Sequence, residues 1–235
     1  MHGRAARLAA GRVCDAGIAG ARRIRRQRLH PVRLRRRLLR GRPAGREELE
    51  SNADYRALIR AISEFTNPEQ VVLDVGCGDG AYLGQIAPRV KQAWGIDADV
   101  DAARLANEKL QENNFNNCNV RHLRIDQAKQ FFAHNKQKFD LVWSADVIEH
   151  LPRPEELLEL AVQVLNPSAL CLIGTPIYIS DELKSPYHVK EYTIEEINSI
   201  ISTYLNIQKE IILPHSRKDG KVYEEGYYLA VCRLP

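Results

Sequence analysis

Apolar positions along this chain fall into two textures that take turns. Residues 47–65, EELESNADYRALIRAISEF, set Leu49, Tyr55, Leu58, Ile59, Ile62 and Phe65 at mostly helical spacing, which predicts a leading helix with one apolar face. Short aliphatic runs follow: VVLDVG, AWGID, NVRHLRI, FDLVWSA and ALCLIGT have the length and content of buried strands. AYLGQIAPRV, DAARLANEKLQENN and RPEELLELAVQVL carry helical spacing among them. After a long connection from Pro176 to Thr193, TIEEINSIISTYL reads as a helix, and IQKEIIL and YYLAVCRL read as two closing strands. Strand and helix in such alternation predict a parallel sheet covered by helices on both faces. No internal repeat of 20 to 50 residues is present.

Composition narrows the class. The 235 residues are 44 % hydrophobic, and no window approaches the roughly 20 apolar residues of a membrane span, so a soluble protein is expected. Five cysteines, at 14, 77, 118, 171 and 232, are scattered and form no CxxC pair. That argues against a disulfide framework or zinc site and favours a reducing, cytoplasmic setting.

The net charge of +4 averages two unlike segments. Residues 1–46 hold 15 arginines, no lysine and one acid, Asp15, a charge of +14 that leaves −10 on residues 47–235. Like-charge blocks broken by Pro31, Gly41, Pro43 and Gly45 do not sustain a helical stripe, so 1–46 is expected to be a disordered extension and 47–235 the folded domain. A basic arm for nucleic acid or anionic lipid and a mitochondrial presequence are alternatives, the latter weakened because the segment contains no serine. A mis-assigned start is a further one, although Met1 is the only methionine.

LDVGCGDGAYL, residues 73–83, gives up three side chains in five positions, at Gly76, Gly78 and Gly80, directly after a strand. Ligands of open α/β sheets bind at strand ends where the strand order reverses, and alternating glycines let something approach the backbone. The spacing G-x-G-x-G differs from the dinucleotide G-x-G-x-x-G, and Asp74 and Asp79 beside it would repel a diphosphate. Asp97, closing WGID 17 residues beyond Gly80, stands where a carboxylate can accept both hydroxyls of a ribose. A cationic nucleoside without phosphates meets these constraints.

Residues 47–235 resemble the class I S-adenosylmethionine-dependent methyltransferases. VVLDVGCGDG resembles the glycine motif, GIDAD the ribose-binding strand end, RIDQA the adenine segment, FDLVWSADVIEHLPRPEELL the fourth-strand motif and VLNPSALCLIGTP the fifth. The fifth departs from the usual L-x-P-G-G with Asn166, Pro167, Ser168 and Ala169. The resemblance implies a Rossmann-like, doubly wound, seven-stranded, mostly parallel sheet with an antiparallel last strand, and an enzyme whose cofactor is S-adenosyl-L-methionine. It puts Gly76, Gly78 and Gly80 near the methionine moiety, Asp74 on its amino group, Asp97 and Ala98 at the ribose, Asp126 near the adenine, and Ser144 at the end of the fourth strand beside the cofactor.

Methyl transfer from a sulfonium is an in-line displacement, and a base is required only if the nucleophile starts protonated. Glu149 and His150 in DVIEHL, and His188 in SPYHVKEYT with Tyr187, Glu191 and Tyr192, are the catalytic candidates. IEHLP, TP and HVKEYT resemble small methyltransferases that act on glycans, lipid-linked sugars or similar hydroxylated small molecules. An alternative is a small-RNA 3′-terminal 2′-O-methyltransferase, whose Mg²⁺ would be held by Asp146, Glu149, His150 and His188; the acidic domain makes a poor nucleic-acid binder. A non-catalytic S-adenosylmethionine-binding domain is the rival from another class.

Overall fold

A computed structural model describes residues 53–217 and 219–235. The Arg-rich extension, the expected domain start at residue 47 and Leu49 lie outside the described residues. Along the chain run α1 (Ala53–Ser63), β1 (Val71–Val75), α2 (Ala81–Ile86), β2 (Gln92–Asp97), α3 (Val100–Glu112), β3 (Cys118–His122), α4 (Ile125–Asn135), β4 (Phe139–Ala145), α5 (Glu155–Val164), β5 (Leu165–Pro176), α6 (Ile194–Ile201), β6 (Asn206–Ser216) and β7 (Val222–Arg233). One sheet holds all seven strands in the order β3-β2-β1-β4-β5-β7-β6. The first five are mutually parallel, and β7 runs antiparallel to both β5 and β6.

Side chains alternate across a strand, and β7 shows the result: Tyr227, Leu229 and Val231 join one apolar layer while Tyr228, Ala230 and Cys232 join the other. The first layer packs α1, α2 and α3 through Leu58, Ile62, Leu83, Ile86 and Ala106. The second packs α4, α5 and α6 through Phe132, Leu157, Leu160, Ile197 and Ile201. Burial on both faces explains why the strands read as continuous aliphatic runs.

The sequence pattern stops short in one place. NVRHLRI reads as a single strand, yet β3 ends at His122 and Ile125 opens α4. Arg124 between them is extended, and its backbone N–H donates to the Gln127 side chain at 3.0 Å, which caps the new helix. The parallel step from β3 to β4 requires such a crossover, and Phe132 fills it edge-on against Phe131, Phe139 and Trp94. Strand order reverses between β1 and β4, so the crevice for a ligand opens over their carboxyl ends. Among the described residues no helix is long and apolar enough to cross a membrane.

Candidate functional site

The turn after β1 is shaped by backbone and packing together. Gly76, Gly78 and Gly80 all have positive φ, 81°, 56° and 78°. A Cβ on Gly76 would stand 2.3 Å from Val147 Cγ2, and one on Gly80 3.1 Å from Ala106 Cβ. At those two positions the fold itself demands glycine, so the approach of a ligand is not needed to explain them. The contact with Val147 also joins the glycine turn to the segment that leaves β4.

Asp97 fixes the turn from the neighbouring strand. Its Oδ2 accepts from the Gly78 N–H and its Oδ1 from the Asp99 N–H, both at 2.8 Å. One half-buried carboxylate thus clamps the loops after β1 and β2 to each other. Asp74 lies beneath the turn, 1 % exposed. Asp79 does not act as a free charge, because Lys109 Nζ donates to its Oδ2 at 2.6 Å. Even so the field at the turn is negative: after burial itself, Asp74, Asp97 and Asp79 all push the Cys77 thiol well above its ordinary range. A cation is favoured there.

Three other expected cofactor residues take definite places. The Ser144 hydroxyl is buried and donates to the Val75 carbonyl at 3.0 Å, so it ties β4 to β1. Asp126 is exposed at the start of α4 and pairs with Arg124, which lowers its carboxyl through the hydrogen bonds that group supplies. Ala98 is exposed, and its carbonyl faces His122 Nε2 at 3.2 Å.

On the β4 side the expected acceptor residues are only partly gathered. Glu149, His150 and His188 offer ligand atoms within 4.8 Å of one another. Asp146, expected as a fourth, does not join them. It sits in the left-handed region with φ 57°, and it lines a separate cavity with Tyr82, His215 and Tyr227. Of the four residues expected to hold Mg²⁺, three are gathered within that distance.

Each member of the trio is held. The Glu149 carboxylate is fully buried and accepts from Thr175 Oγ1 at 3.1 Å. Its main-chain carbonyl accepts from the Val189 and Lys190 N–H groups at 2.8 and 3.1 Å, which pins the long connection over the strand ends. His150 Nδ1 faces the Tyr187 carbonyl at 3.1 Å, and His188 Nδ1 faces Glu191 Oε1 at 2.7 Å. His150 Nε2 lies 3.9 Å from Glu149 Oε1, so the imidazole and the buried carboxylate face each other. Burial pushes the Glu191 carboxyl up, but the bonds from His188 and the Ser185 N–H, with Arg217 beside it, outweigh this and hold it below the usual range. Arg217 Nη1 lies 3.0 Å from Glu191 Oε2, and its Nη2 donates to the Ile177 carbonyl.

Sequence reasoning did not single out Asp54, His215, Arg217 or Tyr227. Asp54 and His215 approach to 3.6 Å from positions far apart in the chain, and no local motif marks such a pair. Tyr55, read as a core residue, does pack inside, but its hydroxyl donates to the Ala81 carbonyl at 2.8 Å, just after the glycine turn.

The sheet order with its antiparallel β7, a glycine turn at the reversal point and a carboxylate closing β2 define the class I S-adenosylmethionine-dependent methyltransferase fold. A family model described as a methyltransferase domain matches residues 66–224, well over half of the chain. The chain belongs to that methyltransferase-domain family. It is 31 % identical over 104 residues to a ubiquinone biosynthesis O-methyltransferase of Glaesserella parasuis, a match that covers 44 % of each chain. It is 27 % identical over 173 residues to phosphoethanolamine N-methyltransferase 2 of Caenorhabditis elegans, covering 68 % of this chain and 38 % of that one. The matches thus span less than half the length of these curated relatives. Among solved structures, the N-methyltransferase NodS of Bradyrhizobium japonicum, determined with S-adenosyl-L-homocysteine, superposes with a TM-score of 0.68 at 19 % identity, over 88 % of this chain and 99 % of that one.

Gly76→Ala is expected to destabilise the fold through a left-handed backbone cost of about 1 to 2 kcal/mol plus the clash with Val147. Urea unfolding of Gly76→Ala, Val147→Ala and the double variant checks this. The double variant should lose less than the sum of the two, and strict additivity would contradict the contact.

Proposed function

We propose that this chain transfers the methyl group of S-adenosyl-L-methionine to an oxygen of a small hydroxylated acceptor, a free small molecule or a glycan- or lipid-linked one. The observation that carries the reading is the negative, glycine-lined turn clamped by Asp97. Bound there, the cofactor supplies a methyl group already activated on a sulfonium. Gly76, Gly78 and Gly80 border the methionine end, with Asp74 beneath its amino group. Asp97, Ala98 and the start of α4 at Asp126 receive the nucleoside, and Ser144 supports the site through the sheet. In the clamp each Asp97 oxygen accepts one backbone N–H, and the remaining lone pairs can accept ribose hydroxyls.

Glu149, His150 and His188 form a wall of the crevice past β4. Closing the crevice there serves the reaction, since an in-line displacement gains most from a nucleophile held on the line of attack. The O-methyltransferase name of the Glaesserella parasuis relative agrees with oxygen as the methylated atom, while the Caenorhabditis elegans relative carries an N-methyltransferase name.

Asp97→Ala removes charge-assisted hydrogen bonds worth about 1.5 to 3 kcal/mol and also frees the turn. It should weaken S-adenosylhomocysteine binding by well over tenfold in a calorimetric titration, and unchanged affinity would remove Asp97 from the cofactor site.

A second reading is favoured by the orientation of the two imidazoles. With both Nδ1 atoms engaged, two Nε2 atoms and a buried carboxylate suit a divalent transition metal better than the all-oxygen surroundings Mg²⁺ prefers. Calorimetric titration of the purified chain with Zn²⁺ or Mn²⁺ tests it: this reading expects one ion per chain, lost in His188→Ala, whereas binding unaffected by that change would reject it.

A further inference from the structure

Beside Asp146 lies a cavity that the histidine wall does not line. This cavity of about 200 Å³ lies between α1, the start of α2 and β6, and is walled by Asp54, Tyr55, Tyr82, Asp146, His215 and Tyr227. It borders the cofactor turn: Tyr82 is two residues past Gly80, the Tyr55 hydroxyl holds the Ala81 carbonyl, and Val147, next to Asp146, rests on Gly76.

Resting on the methyl-transfer reading, we propose that this cavity holds the acceptor, that the acceptor presents a single hydroxylated six-membered ring, and that His215, oriented by Asp54, takes the proton from its hydroxyl. Size sets the class, since an apolar cavity of roughly 150 Å³ accommodates benzene. Shape agrees with size. The rings of Tyr55 and Tyr82 stack on each other at 5.0 Å with 26° between their planes, and both residues line the cavity, which gives it an aromatic wall.

The polar groups point the same way. Tyr227 is 3 % exposed, and burial first, then the Asp146 carboxylate that it faces, push its hydroxyl well above its ordinary range, so it stays protonated. A ligand oxygen in the cavity can accept from it beside Asp146. Asp146 is held at φ 57°, a conformation uncommon outside glycine and concentrated at functional sites. His215 Nδ1 lies 3.6 Å from Asp54 Oδ2, the oxygen that also accepts from the Ser216 N–H at 2.6 Å. Asp54 is thereby held on the Nδ1 side of the His215 ring at ion-pair distance, and the acceptor is assigned to Nε2. The His215 ring sits 5.4 Å from the ring of Tyr227.

The protonation state suits a base. Burial lowers the His215 pKa and Arg217, just past β6, lowers it further; Asp146 beyond β4, Asp54 on α1 and Glu191 in the long connection oppose them. The net direction is downward, so the imidazole is neutral at pH 7 and able to accept a proton. In the step itself the acceptor O–H proton moves to Nε2 and an oxygen lone pair forms the new O–C bond. The C–S bond breaks at the same time, and its electron pair neutralises the sulfonium to give S-adenosylhomocysteine. The imidazolium then returns its proton to solvent.

The test uses the full chain with labelled S-adenosylmethionine and three acceptor arms: catechol, a methyl pyranoside and a two-ring naphthol. Methylation of catechol or the pyranoside but not of the naphthol is expected, and the productive arm tells a phenol from a sugar. His215→Asn should lower kcat by roughly a hundredfold or more and abolish the inflection in the pH profile, with S-adenosylhomocysteine affinity unchanged. Histidine NMR gives a reading independent of turnover: the His215 imidazole should titrate below about 6.5 and shift when the ring ligand is added to protein loaded with S-adenosylhomocysteine. Asp54→Asn should move that titration without altering cofactor affinity, which keeps the test valid if the His215 variant does not fold. S-adenosylhomocysteine binding with an unmoved His215 signal, or a His215→Asn enzyme with the wild-type pH profile, would overturn the proposal. Failure of S-adenosylhomocysteine to bind the wild-type chain would instead overturn the methyl-transfer reading beneath it.

Discussion

The carboxylate of Asp97 is the link on which the site depends. It accepts the Gly78 N–H with one oxygen and the Asp99 N–H with the other, so two loops that belong to different strands move as one body. Backbone donors in loops normally turn to water. Here a single charged acceptor takes two of them, and hydrogen bonds to a charged group are stronger than neutral ones. Gly76 and Gly80, packed on Val147 and Ala106, set the shape that Asp97 then locks. The same carboxylate adds to the negative field at the turn, so structural and binding roles converge on one side chain.

The other half of the site hangs on a buried charge chain. Arg217, just past β6, meets Glu191, Glu191 holds His188, and His188 lies beside His150 with ring centroids 4.8 Å apart. Glu149 grips the same connection through its main-chain carbonyl. Burying a charge is costly unless it is paired and hydrogen-bonded, and both conditions are met for Glu191, which is why its carboxyl stays below its ordinary range despite burial. The connection after β5 is thus fastened from the β4 side by Glu149 and from the hairpin side by Arg217. It forms a wall of the crevice rather than a loose excursion.

Much of this was legible in the chain because its signals are local. β4 falls on FDLVWSA residue for residue, and β1, β2 and α5 lie within a residue or two of their patterns. The order of motifs put the glycine turn after β1, where the strand order reverses. Legibility failed where a property depends on distant neighbours or on one backbone angle. Ile125 looks like the end of a strand until the cap at Arg124 and Gln127 makes it the start of α4. Asp79 looks like a second free acid until Lys109, on α3, reaches it across the turn. Asp146 belongs by spacing with Glu149 and His150, but it lines the cavity with His215 and Tyr227 instead. Asp54 and His215 approach only when α1 packs against β6, a contact that no periodicity announces.

The central claim is that the clamped glycine turn binds the nucleoside of S-adenosylmethionine, and it is independent of the histidine wall. Calorimetric titration of the full chain with S-adenosylhomocysteine in the presence of EDTA tests it most directly. The account predicts one molecule bound per chain without added metal, and no displacement by NADH. Absence of binding, or displacement by NADH, would contradict it.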